Sequence, residues 1–113
     1  MSFTANDSSR ILAPAADSSA PRAEQRLANT GTTESSNSTA LSVGCMATLC
    51  VGATAIRVTF RTSTGLSTQV AATNRIIPAY GSYDWYVTND TKVVYIEAAD
   101  SASAYEAHVW TSS

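Results

Sequence analysis

The sequence predicts an all-β fold: a small antiparallel β-sandwich or barrel of six to seven strands, led by an extended N-terminal arm. Three observations predict it. Apolar residues beyond position 41 recur with a period of two, the spacing of a half-buried strand. Turn-forming clusters separate these runs about every ten residues. The large apolar residues are also unevenly placed: positions 1–40 hold only Met1, Phe3, Ile11, Leu12 and Leu27, while both Trp, both Cys and all five Tyr follow. Ordering a backbone costs roughly 1–2 kcal/mol per residue, and only the second stretch has the apolar material to offset it. The chain therefore divides into an arm, residues 1–40, and a β-sandwich domain, residues 41–113.

The arm carries eight Ser, eight Ala and five Thr, a composition that does not fold alone. Within it, Pro21 to Ala28 has the outline of two helical turns, with Pro at the first position and Gly31 as the stop. Leu41–Val51 supplies a first strand, bent or bulged at Gly44. Ile56, Val58 and Phe60 alternate with Arg57, Thr59 and Arg61 on the next. Ser63-Thr-Gly65 turns the chain, and Leu66, Thr68 and Val70 alternate on a returning strand. Asn74-Arg75 and Pro78 to Gly81 bracket a loop, after which Tyr83, Trp85 and Val87 alternate with Asp84 and Tyr86. Val93-Val94-Tyr95-Ile96 lacks polar alternation, the pattern of a central strand covered on both faces. Asp100 opens a turn, and Tyr105, Ala107 and Val109 form the inner row of the last strand.

Composition excludes several functions. Net charge is −2 and charged residues make up 14% of the chain, against about 25% in ordinary globular proteins. No basic cluster exists to contact phosphates, so nucleic acid is not an expected partner. The N-terminus lacks the basic and apolar regions of a signal peptide, and no apolar stretch is long enough to span a bilayer; synthesis and retention in a cytosol are expected. A low-charge surface rich in Ser, Thr and Ala suits packing against other proteins.

Chemistry-bearing residues are sparse. His108 is the single imidazole, so any nucleophile has one possible base, and no Gly-x-Ser-x-Gly elbow accompanies it. Alternation puts His108 on the face opposite Tyr105 and Val109, as an exposed or interface residue. Cys45 and Cys50, five apart, cannot complete a zinc site and are expected to be reduced. Asp84, Glu97, Asp100 and Glu106 fall at turns or outward positions. No catalytic residue, metal or cofactor is expected, and the chain is read as a non-enzyme.

The stretch from Ala47 to Trp110 carries a resemblance. Leu49-Cys-Val-Gly-Ala-Thr-Ala-Ile-Arg-Val-Thr-Phe60 is followed by Ile76-Ile-Pro-Ala-Tyr-Gly81, Tyr83-Asp-Trp-Tyr-Val87, Val93-Val-Tyr-Ile-Glu97 and Ala107-His-Val-Trp110. This order resembles the small β-sandwich virion proteins of tailed bacteriophages, among them head decoration (cement) proteins. The resemblance is one of fold pattern, and the first forty residues lie outside it. It implies a protein that binds the outer surface of an assembled head and stabilises it without catalysis, assembled in the host cytoplasm. Its partners are then the major capsid protein and neighbouring copies of itself, as a homo-oligomer on the shell. The residues expected at that contact are Phe3, Ile11, Leu12 and Leu27 in the arm, and Arg57, Arg61, Tyr86 and Trp110 on the domain. The alternative is an accessory module of head, neck or tail that recognises host-surface glycan through Trp110, Tyr86 and Tyr80.

Overall fold

The computed structural model describes residues 23–66, 68–100 and 102–111. They form eight strands: β1 (Ala23–Thr30), β2 (Ser35–Ser36), β3 (Met46–Val51), β4 (Ile56–Arg61), β5 (Arg75–Ile77), β6 (Ser82–Tyr86), β7 (Val93–Ala98) and β8 (Ala104–Thr111). Two four-stranded sheets result, in the orders β1-β8-β3-β6 and β2-β7-β4-β5, with antiparallel pairing throughout. The expected all-β sandwich is what forms. Between the sheets, Leu27, Leu49, Val87, Ala107 and Val109 meet Ile56, Val58, Val94 and Ile96 in one buried cluster. Phe60, Tyr83 and Trp85 close one part of it, with the Phe60 and Trp85 ring centroids 5.0 Å apart. Each strand contributes alternate residues to this core because its side chains point to opposite faces in turn.

The domain boundary expected at residue 40 lies earlier, because residues 23–40 belong to the sandwich. Residues 23–28, read from sequence as helical turns, are extended in β1, which pairs with the whole of β8 from Ala23↔Thr111 to Thr30↔Ala104. Ala, Glu, Gln, Arg and Leu favour helix weakly, by tenths of a kcal/mol each. A helix here would have one apolar residue to bury, whereas the strand inserts Leu27 opposite Ala107, where it is fully buried. Tertiary burial overrides local preference. Leu27, expected at a partner contact, is therefore a core residue of its own domain.

Asn37 fixes the segment after β2. Its Oδ1 accepts from the Val94 amide at 2.8 Å, and its Nδ2 donates to the carbonyls of Thr39 at 2.7 Å and Lys92 at 3.2 Å. The side chain is completely buried. Polar groups survive burial when their hydrogen bonds are met, as here.

Leu66, Thr68 and Val70, expected on a returning strand, lie outside any strand, and the third strand of the β4 neighbourhood is the short β5, which falls where a loop was expected. Thr68 adopts φ 59°, a left-handed conformation that interrupts an extended run. The loop folds across the outer face of β4 and β7. Val70 packs with Val93 and Tyr95 in a second buried cluster, and the Tyr95 hydroxyl donates to Ser63 O at 3.1 Å while accepting from the Leu66 amide at 2.9 Å. β7 is thus covered on both faces, as its unbroken apolar run predicts.

Tyr105 links the two sheets from β8. Its hydroxyl donates to Thr33 O and also lies 3.3 Å from Ile96 O. Burial, then the charges of Glu97 and Glu34, push its phenol above the usual range, against an opposing hydrogen bond from Asn29. Because the folded pKa is raised, this contribution is complete below the unfolded value of about 10 and is lost as pH rises past it toward the folded value. The resistance of the wild type to urea should fall above about pH 10, and Tyr105→Phe should flatten that slope while removing about 1 kcal/mol at neutral pH. Equal slopes in the two proteins would contradict the assignment.

Candidate docking face

The two outer faces of the sandwich differ. On β4, Arg57 and Arg61 point outward as alternation requires, but both are spent on the covering loop. Arg57 Nη1 donates to Ala72 O at 2.7 Å, and Arg61 Nε donates to Gln69 Oε1 at 2.7 Å. Both are expected from sequence at a partner contact; instead their guanidinium groups hold the chain's own loop as a roof. Sequence alternation shows direction but not what folds over the face.

The outer face of β1-β8-β3-β6 carries no such roof among the described residues. Its side chains follow from register. One row runs Glu24, Trp110, Thr48, Asp84; the next runs Arg26, His108, Cys50, Ser82; Met46 sits opposite Tyr86. Tyr86 and Met46 are 60% and 47% exposed, and Val43, just before the Gly44 turn, is 57% exposed. Gly44 makes that turn at φ +95°, a conformation L side chains rarely adopt. Trp110 and Tyr86 share this face two strands and two residues apart, roughly 12 Å. Sequence reasoning misses Met46 and Val43; the one signal it offers is that Met46 alternates outward with Thr48 and Cys50.

Beside Trp110 the face is polar and ordered. Arg26 Nε donates to Glu106 Oε2 at 3.1 Å, which also lies 2.8 Å from His108 Nε2. His108 Nδ1 lies 2.8 Å from Glu24 Oε2, an electrostatic contact whose angle is not that of a hydrogen bond. The imidazole stacks near the Trp110 ring, with centroids 6.0 Å apart and planes at 23°. Carboxylates thus hold the ring from both sides and with it the indole. The hydrogen bond from Arg26, then that of His108, keeps the Glu106 carboxyl below the usual range. A depressed folded pKa stabilises the fold above the unfolded value, and the effect is lost as pH falls through the folded one. Arg26→Ala should raise the Glu106 pKa toward an ordinary glutamate in a carboxyl NMR titration; an unchanged midpoint would contradict the pairing.

The face places Cys50 directly opposite His108. Burial, then the charge of Asp84, push the Cys50 thiol up, the reverse of what a cysteine nucleophile requires. The open cavity of about 420 Å³ nearby is lined by Arg26, Thr54, Tyr105 and Glu106 rather than by His108 or Cys50. Both cysteines are free thiols. Among the described residues no group of three or more His, Cys, Asp or Glu side chains is placed to hold a metal ion, and no helix is long and apolar enough to cross a membrane.

Of the contact residues expected from sequence, the fold brings Tyr86 and Trp110 onto one face, puts Leu27 in the core and uses Arg57 and Arg61 under the roof. Phe3, Ile11 and Leu12 lie outside the described residues. Tyr80 is 80% exposed on the loop before β6, at φ 60°. The chain matches no family model, no curated protein and no solved structure.

Proposed function

We propose that the chain is a non-catalytic assembly module that attaches to a larger protein surface through the outer face of β1-β8-β3-β6. The observation that carries this reading is the asymmetry of the sandwich among the described residues: one sheet is roofed by its own loop, and the other carries no such loop and presents Trp110 and the 60% exposed Tyr86. Aromatic side chains and Met are the residue types enriched where protein interfaces bury their centres. The charges on this face, Glu24, Arg26 and Glu106, are held in contacts with one another or with His108 beside Trp110, which suits them to the polar rim of such an interface.

The resemblance to head decoration proteins makes the shell of a tailed phage head the surface in question, with the major capsid protein and adjacent copies as neighbours. On a symmetric lattice, modest affinity per copy is multiplied when linked copies engage together. Leu27 and residues 23–40 are committed to the folded module, so the arm's share of the contact falls to Phe3, Ile11 and Leu12, outside the described residues, with Tyr86 and Trp110 on the module.

Co-sedimentation with undecorated heads of the phage encoding the chain tests this. The wild type is expected to bind, and Trp110→Ala with Tyr86→Ala is expected to weaken binding at least tenfold, on the order of the 2 kcal/mol or more that a buried aromatic anchor contributes. Undiminished binding by the double variant, or no binding by the wild type, rejects the reading. Sugar-dependent capture on a glycan array, abolished by Trp110→Ala, would point to host-surface recognition instead.

A further inference from the structure

The long free edge of the bare sheet leads beyond this reading, and its geometry is independent of what the face docks. Among the described residues β1 is the outermost strand of its sheet and pairs on one side only, with β8. Two backbone bonds fix which of its groups remain open. The Gly31 amide donates to Ser103 O at 2.7 Å, and on the other side of β8 the Gly52 amide donates to Glu106 O at 2.8 Å. In an antiparallel ladder, hydrogen-bonded pairs alternate with non-bonded ones. Odd-numbered residues of β1 therefore bond β8, and Glu24, Arg26, Ala28 and Thr30 turn their amides and carbonyls to the open edge. Such an edge is a template for another strand unless it is short, bulged, prolyl, covered or charged, and the two charges of β1, Glu24 and Arg26, are of opposite sign. β1 has eight residues, contains no proline, and pairs in unbroken register with β8.

We infer that β1 pairs antiparallel with β1 of a second copy across a twofold axis, joining two bare sheets into one. Charge distinguishes a register that pairs residues 23–27 of the two copies from those one residue to either side. Twofold pairing about Gln25 sets Glu24 opposite the partner's Arg26 and Arg26 opposite the partner's Glu24, and both are hydrogen-bonded pairs. Shifting the axis by one residue either way sets Arg26 against Arg26 or Glu24 against Glu24. Opposite charges directly across a strand pair stabilise it and like charges destabilise it. Both side chains reach solvent, at 62% and 46% exposure, while holding Glu106 and His108 within the subunit. A symmetric dimer also has the self-complementary interface that a twofold requires.

Sedimentation velocity at low salt tests the pairing. The wild type is expected to form a concentration-dependent dimer that weakens as salt rises. Arg26→Glu and Glu24→Arg should each lose at least about tenfold in self-association. Mixing these two variants should restore a heterodimer, because each then faces opposite charge twice. A cysteine at the axis supplies a second readout: Gln25→Cys should form an intersubunit disulfide, since the α-carbons of a non-bonded pair approach to about 4.5 Å, and the chain carrying only Cys45 and Cys50 should not. A wild type that stays monomeric, single variants that self-associate normally, or a mixture that fails to recover would each overturn the proposal. Head binding by a strictly monomeric wild type would leave the docking face standing while removing the dimer.

Discussion

Leu27→Ala is expected to destabilise the domain by about 2–5 kcal/mol, the range for emptying a buried leucine site. Leu27 is fully buried opposite Ala107, whose own small side chain leaves the space that leucine fills. The surrounding positions Leu49, Val109 and Ile96 are fixed in a ladder, so the site cannot collapse readily around the missing methyls. A domain of this size carries a total stability of about 5–10 kcal/mol, so the variant should show a large drop in urea midpoint at neutral pH. A residue in a detached arm would show no change. Near-identical midpoints would mean that β1 does not pack as described.

Asn37→Ala is the second large effect, expected at about 3 kcal/mol. It removes one acceptor and two donor contacts from a site with no solvent access, and leaves the Val94 amide without its partner, while the Lys92 carbonyl keeps the Leu41 amide at 2.9 Å. Each stranded buried group costs about 1–3 kcal/mol. Asn37→Asp keeps the acceptor for Val94 but sets a charge against the carbonyls of Thr39 and Lys92; its deficit should shrink as pH falls and the carboxyl is protonated. If Asn37→Ala unfolds at the wild-type midpoint, the segment after β2 is not tied to β7 and the boundary returns toward residue 40.

Both variants probe what local sequence hides. β4, β6, β7 and β8 are legible because β-branched and aromatic residues alternate or run unbroken there, and those patterns follow from burial on one or two faces. β1 reads as helix because its one leucine lies among good helix formers, and its strand state depends on β8, some eighty residues away. Asn37 is one polar residue in a Ser- and Thr-rich stretch, and its role exists only once Val94 and Lys92 are beside it. The outward direction of Arg57, Arg61, Tyr86, His108 and Trp110 is readable from alternation. Which of the two outer faces is roofed is not, since Leu66, Thr68 and Val70 read as a strand, whereas Thr68 is left-handed and Val70 packs over β7 against Val93 and Tyr95.

Oxidative footprinting of the chain on undecorated heads tests the central claim most directly. Met46, Tyr86 and Trp110 should label more slowly when bound, while Leu66 and Ile76 beyond the other sheet, 44% and 49% exposed, should label as in the free protein. Protection of Leu66 and Ile76 with Met46, Tyr86 and Trp110 unaffected would contradict it.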